Sequence, residues 1–133
     1  MELPDGAIVT GCNSPLMHAA ASLVLNAAKR VAGIPDDIYL LPPEVIESLR
    51  HLKTTVLRGR GVSLDTEEVL TALAVSMTSN PAARAAVAKL GQLRGCEVHI
   101  THMPTPGDEA GLRRLAVNLT SDPDFATKRL FVS

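Results

Sequence analysis

The chain has 133 residues, a formal net charge of −1 and a hydrophobic fraction of 46%, but only one Tyr, two Phe and no Trp. This length is typical of a single domain, and the composition predicts a core of aliphatic side chains. The nearly balanced charge and the few aromatic residues count against a nucleic-acid-binding protein, and no apolar run approaches the roughly 20 residues that span a membrane.

The first ten residues, MELPDGAIVT, lack the basic and apolar segments of a signal peptide. Cys12 and Cys96 are far apart in the sequence, whereas disulfide frameworks and thiolate zinc sites normally contain several closely spaced cysteines. We therefore expect a cytoplasmic protein with reduced cysteines.

The first predicted elements are a strand at residues 7–10 and a long helix that follows it. Ser14 is a typical N-cap and Pro15 a typical first helical residue, because proline lacks the amide that would otherwise stay unbonded there. Gly33 is a typical helix end. Most positions of this helix are apolar and many are alanine, which predicts that it is largely buried.

The middle of the chain predicts a second strand at residues 38–41 and three more helices. Asp65 and Glu68 have the spacing of a capping box, and Asn80 before Pro81 again combines an N-cap with a proline. A diproline opens the earliest of these helices, whose apolar residues recur on one face: Val45, Leu49, Leu52 and Val56.

The last third of the chain predicts a strand at residues 97–102, a helix that begins at Thr105, and a strand at residues 117–120. Strands that alternate with helices favour a mainly parallel sheet covered by helices. We therefore predict one α/β domain over residues 1–133, with about four strands and about five helices.

The turn between the first strand and the first helix is the main candidate site. A strand that leads through a glycine-containing turn into a helix presents free amides and the positive end of the helix dipole, which together can bind an anion. Neither G-x-x-x-x-G-K-[ST] nor G-x-G-x-x-G occurs in the chain, so a purely structural helix cap is the alternative. The candidate anion-binding residues are Gly11, Asn13, Ser14 and His18.

Cys12 and His18 are weak candidates for catalytic residues. A cysteine just before a helix can be activated by the helix dipole, and a histidine nearby can act as its base. The alternative is that Cys12 is a small packing residue and that His18 is solvated or hydrogen-bonded to a neighbouring element. The sequence leaves open whether the protein is an enzyme.

Cys96, His99 and His102 have the spacing of metal ligands, but they follow one another on a predicted strand. Side chains alternate between the two faces of a strand, so His99 points away from the other two. We therefore expect no metal site and no cofactor.

One segment of the chain is strongly basic and contains no acidic residue between its first and last members. Because aromatic side chains are few, we interpret it as a solvated helix face and loop and expect no nucleic-acid partner. Its members are Arg50, His51, Lys53, Arg58 and Arg60.

Five strings spread along the chain resemble one bacterial family: ELPDGAIVTG, LNAAKRVAGIPDDIYLLPPEVIESLRHLKT, LDTEEVLTALAVSMTSNPAA, KLGQLRGCEVH and VNLTSDP. They are similar, in order and over nearly the whole chain, to the C-terminal part of the conserved-hypothetical domain-of-unknown-function family 1846. The resemblance implies a three-layer α/β/α sandwich and a family of longer proteins. The family has no established activity, so the resemblance supports the fold more than the function.

Three functions remain as expectations. The first is an accessory or binding domain that contributes a small-anion or nucleotide-phosphate site at the Gly11–Ser14 turn and packs on the upstream domain of a longer protein or on a second copy. The second is a structural module for oligomerisation, suggested by the alanine-rich helices. The third is a hydrolase or transferase that uses Cys12 and His18. A membrane partner is not expected.

Overall fold

The computed structural model describes residues 1–57 and 63–123. These residues form five α-helices and two strands, numbered in chain order: α1 (Ala19–Ala32), α2 (Pro43–His51), α3 (Thr66–Ser76), α4 (Pro81–Lys89), β1 (Glu97–Ile100), α5 (Pro106–Arg114) and β2 (Asn118–Ser121). A π-helical turn, Leu52–Val56, extends α2, and a 3-10 turn, Leu90–Leu93, extends α4. None of these helices has the length and apolar character needed to cross a membrane.

The sheet is formed by β1 and β2, which run parallel with Glu97 opposite Asn118 and Ile100 opposite Ser121. Helix α5 connects the two strands, since a parallel pair needs a crossover. The predicted α/β class is confirmed. The described residues, however, contain two paired strands rather than four.

The predicted strand at residues 7–10 forms isolated pairs instead of a ladder. Ile8 pairs with Glu2, and Glu2 pairs in turn with Glu97 of β1. The chain reverses through Gly6, whose φ of 86° is easily adopted by glycine. The two arms of this hairpin are too short for a continuous ladder, so this segment runs beside the sheet without becoming a regular strand.

The predicted strand at residues 38–41 is also absent from the sheet. Leu40 and Leu41 are buried in the core, which explains the apolar pattern. The side-chain nitrogen Nδ2 of Asn80 donates to the carbonyl oxygens of Tyr39 and Leu40, at 3.3 and 3.2 Å. A side chain therefore bonds carbonyls that a neighbouring strand would have bonded.

Helices α3, α4 and α5 begin at the predicted caps. In each, the side chain of the N-cap residue accepts a hydrogen bond from an amide of the first turn; these residues are Asp65, Asn80 and Thr105. At α3 the side chain of Glu68 also accepts a hydrogen bond from the amide of Asp65, so the predicted capping box is complete.

The core consists of two clusters that share α1. One face of α1, including Leu23 and Val24, packs with β1 and Leu93. The opposite face, including Ala21, packs with α3 and α4 around Leu73. Half of the residues of α1 are buried, as its apolar sequence predicts.

Candidate functional site

The glycine-containing turn precedes α1, but Ser14 does not cap the helix. The hydroxyl of Ser14 accepts hydrogen bonds from the amides of Leu16 and Met17, at 3.2 and 3.3 Å, and so closes a local turn. Helix α1 begins later, at Ala19, whose amide donates to Oδ1 of Asn13 at 2.7 Å. The predicted helix start at Ser14 is therefore wrong, and Asn13 bonds the first helical amide.

Residues 16–18 do not extend α1 because their backbone groups pair with Leu64. The amide of Leu64 donates to the carbonyl of Leu16, and the amide of His18 donates to the carbonyl of Leu64, both at 2.9 Å. A long-range pairing of this kind replaces the helical hydrogen bonds that the Ser-Pro signal predicted.

Gly11 lies directly against the backbone of α1. A β-carbon at this position would overlap with the carbonyl oxygen of Ala19 and with the backbone of Leu23. Glycine therefore permits the chain to approach the helix this closely.

A small cavity opens between this contact and the end of β1. Its volume is about 210 Å³, and its lining includes Gly11, Ala20, His99 and His102. Of the four residues predicted to bind an anion, only Gly11 lines it. The other three, Asn13, Ser14 and His18, lie outside the lining.

The first turn of α1 leaves two amides without an acceptor. The side chain of Asn13 accepts a hydrogen bond from the first helical amide, that of Ala19, and the carbonyl of His18 accepts one from the amide of Ser22 at 3.0 Å. For Ala20 and Ala21, the described part of the chain supplies no acceptor. Unbonded amides at a helix start, together with the helix dipole, favour a negative charge.

His99 is held at the opposite wall of the cavity by one residue of β2 and one residue that follows it. Its Nδ1 lies 2.8 Å from Oγ1 of Thr120, and its Nε2 lies 3.1 Å from Oδ1 of Asp122. Cys96 is buried in the core, while His99 is exposed on the other face of the strand, as alternation requires. Residues 1–57 and 63–123 contain no cluster of ligand side chains suited to a metal ion.

His18, the N-cap residue of α1, is bonded to a buried carboxylate that the sequence did not single out. Its Nδ1 lies 2.8 Å from Oδ2 of Asp108, which is 1% exposed. Oδ1 of Asp108 accepts hydrogen bonds from the amide and the hydroxyl of Thr66, at 2.8 and 2.9 Å. The hydroxyl of Thr105 donates to Oδ2 at 3.0 Å. These partners compensate the cost of burying the charge.

The Asp108 carboxylate lies where the starts of three helices meet. His18 is the N-cap residue of α1, Thr66 is the first residue of α3, and Asp108 itself is in the first turn of α5. The positive ends of helix dipoles favour an anion. The protein therefore supplies its own anion at this junction.

The His18–Asp108 pair shifts the pKa of both groups. The hydrogen bond to Asp108 raises the pKa of His18 above 6.5, against the opposing effect of burial. Burial alone would raise the pKa of Asp108, but the hydrogen bond and charge of His18 and the two Thr66 donors outweigh it, so this pKa lies below 3.8. Both shifts favour the ion pair.

The two cysteines have different environments, since Cys12 is exposed and Cys96 is buried. Burial raises the pKa of the Cys96 thiol. The ring of His18 bonds Asp108, and the described residues contain no hydrogen bond between His18 and Cys12. The predicted catalytic pair is thus not assembled by hydrogen bonding in this structure.

The basic segment is partly neutralised within the chain. Lys53 donates to Oε1 of Glu68 at 2.9 Å and to the carbonyl of Ser63 at 2.8 Å. Arg58 and Arg60 lie outside the described residues.

The comparisons with known proteins all point to one bacterial family. The family profile described as domain of unknown function DUF1846, C-terminal, matches residues 1–131. UPF0371 proteins of Clostridium botulinum (strain Alaska E43) and Clostridioides difficile (strain 630) are each 43% identical to this chain, over 131 and 133 residues, or 98% and 100% of its length. A UPF0371 protein of Fusobacterium nucleatum is 40% identical over 98% of the chain. The chain spans only 26% of the length of each of these relatives. It belongs to the DUF1846 C-terminal family.

Proposed function

We propose that this chain is an accessory binding domain that contributes a small-anion site, of the phosphate or nucleotide-phosphate class, beside the Gly11–Ser14 turn. The observation that carries the proposal is the cavity of about 210 Å³ in which Gly11, the first turn of α1, His99 and His102 come together. Asn13 and His18 support this site indirectly, because they fix the start of α1.

The chemistry of the cavity favours an anion. The amide of Ala20, a residue that lines the cavity, lies at the positive end of α1, where the described residues offer it no acceptor. His102 adds an imidazole donor on the opposite side, whereas both ring nitrogens of His99 already bond Thr120 and Asp122. A negatively charged group between them would be hydrogen-bonded from two directions.

The size of the cavity restricts the ligand. Its volume of about 210 Å³ is smaller than the roughly 300–1,000 Å³ of sites that enclose drug-sized molecules. The proposed ligand is therefore a phosphate-sized anion, or the phosphate part of a larger molecule whose remainder stays outside.

Titration calorimetry with inorganic phosphate, ATP and GTP tests the site. We expect His102→Gln to weaken binding roughly tenfold, the loss of about one hydrogen bond. His51→Gln is the matched control, because His51 is an exposed histidine on α2, and it should leave the affinity unchanged. Absence of heat with all three ligands would refute the proposal.

The proposed accessory role includes packing on the rest of a longer protein. The match to a C-terminal family and the relatives' greater length support it. We further propose that the fold is a three-layer sandwich with four extended segments, in which residues 1–3 pair with β1 and residues 7–9 pair with residues 1–3. We also propose a reducing cytoplasm as the location, where Cys12 and Cys96 stay free.

A structural module for oligomerisation is the alternative. Aliphatic side chains exposed on the π-helical turn after α2 and on α3, such as Leu52, Val56 and Val75, favour it. Light scattering of the chain over a wide concentration range tests it, and a monomer at the highest concentration would exclude it.

The His18–Asp108 pair favours a second candidate, a hydrolase or transferase in which His18 activates Cys12. A buried carboxylate that orients a histidine recurs in nucleophilic catalysis. Because Cys12 is exposed and Cys96 buried, faster alkylation of Cys12 by iodoacetamide is expected even without catalysis. The informative comparison is His18→Gln: an unchanged alkylation rate at Cys12 would count against this candidate.

A further inference from the structure

An apolar groove between α2 and α3 is uncovered in the described structure. Its volume is about 410 Å³. Leu52 and Val75, which form part of its walls, are 42% and 60% exposed. Exposed aliphatic side chains that line one groove, rather than lying scattered over the surface, are typical of an interaction site.

Helix α2 is less buried than the other helices of the described residues. It contains no fully buried residue, whereas α1, α3, α4 and α5 each contain at least two. The apolar face predicted for this segment continues into the π-helical turn, where Val56 and the following Leu57 are 62% and 65% exposed. The sequence thus encodes a longer apolar face than α3 covers.

We propose that this groove is the docking surface for an apolar helix from the part of the longer protein that lies outside this chain. The proposal rests on the accessory role proposed above and assigns that role to one face. Aliphatic side chains of the docked helix would fill the space between Leu52 and Val75, and Glu44, Ser48 and Thr71 would form the polar rim.

The relatives' length favours this occupant over a second copy of the chain. The chain covers 26% of each relative, so most of such a protein is tethered to this domain. Tethering converts docking into an intramolecular step with an effective concentration on the order of millimolar, which a second copy in solution rarely reaches. The aliphatic walls also suit a helix packed by shape and burial rather than by charge.

Cysteine labelling tests the proposal. The matching C-terminal 26% of the Clostridioides difficile relative is replaced by this chain, and Val75→Cys is introduced into both the chimera and the chain alone. Cys12→Ser removes the exposed native thiol, and Cys96 is buried. The matched control is Ala85→Cys, at an exposed position of α4.

We expect maleimide labelling at position 75 to be at least about tenfold slower in the chimera than in the chain alone, and labelling at position 85 to change less than about twofold. Equal rates at position 75 would overturn the proposal. A rate at position 75 that falls when the chain alone is concentrated would also overturn it, because the occupant would then be a second copy.

A second measurement tests the proposal without the chimera, in case the chimera does not fold. Hydrogen exchange of the unmodified relative is compared between the full-length protein and its C-terminal segment, at the peptides aligned with α2 and α3. Protection only in the full-length protein supports the docking surface, and equal exchange overturns it. Anion binding by the chain alone is measured independently, so loss of one proposal leaves the other testable.

Discussion

At the scale of single residues, Asp108 connects elements that are distant in the sequence. The sequence predicts its local role, since it follows Thr105 at the spacing of a helix cap, and this bond forms. Its contacts with His18 and Thr66 lie 90 and 42 residues away. No local pattern identifies Asp108 as the partner of His18. The sequence predicts either that His18 acts beside Cys12 or that it bonds a neighbouring element, and a bond of the second kind forms.

The ion pair makes stability depend on pH in two directions. The pKa of His18 is raised above 6.5, so its contribution is complete below pH 6.5 and is lost as the pH rises through the folded-state pKa. The pKa of Asp108 is lowered from 3.8, so its contribution is present above pH 3.8 and is lost as the pH falls through the folded-state pKa. The pair therefore stabilises most between these two values.

We expect the free energy of unfolding of His18→Gln to approach that of the wild type as the pH rises from about 6 to about 9. Urea titrations at each pH measure this difference. His51→Gln, an exposed histidine variant, should show no such convergence. A constant difference between wild type and His18→Gln would mean that His18 is held by packing rather than by charge.

At the scale of elements, the helix caps show where local signals suffice. Three helices begin at caps that the sequence predicts, because the capping side chain and the capped amide are within one turn of each other. α1 begins later than predicted, since Leu64 pairs with the backbone of residues 16–18. The side chain of Asn13 then bonds the amide of Ala19, six residues along the chain, which is farther than in an ordinary N-cap.

Gly11 should tolerate no side chain, because a β-carbon would overlap with the backbone of α1. We expect Gly11→Ala to lower the free energy of unfolding by about 1–3 kcal/mol, the usual cost of overpacking. Gly91→Ala is the matched control: a β-carbon there meets nothing within 4 Å, so this variant should be neutral or slightly stabilising, by up to about 1 kcal/mol. Thermal or urea unfolding measures both, and equal effects would contradict the close contact.

At the scale of the whole molecule, α1 joins the two core clusters into one unit. Its small residues, such as Ala21 and Ala28, are fully buried and let α3 and α4 approach closely, while its opposite face packs against the sheet. Neither cluster can lose its packing without exposing a face of the same helix.

We therefore expect a single unfolding transition even when one cluster is weakened. Leu93→Ala and Leu73→Ala remove fully buried side chains, one from each cluster, and each should cost about 2–5 kcal/mol. Circular dichroism and cysteine accessibility at Cys96 should report the same midpoint in both variants. Separate midpoints in Leu73→Ala would show that the clusters unfold independently.

The sequence by itself determined the α/β class, the family, the number of helices in the described residues and the caps of α3, α4 and α5, because periodicity and capping act over a few residues. Tertiary structure alone decided that residues 7–10 and 38–41 do not form regular strands, that α1 starts at Ala19, and that His18 bonds Asp108. These outcomes depend on which distant backbone and side-chain groups compete for the same hydrogen bonds, and that competition is resolved only when the chain has packed.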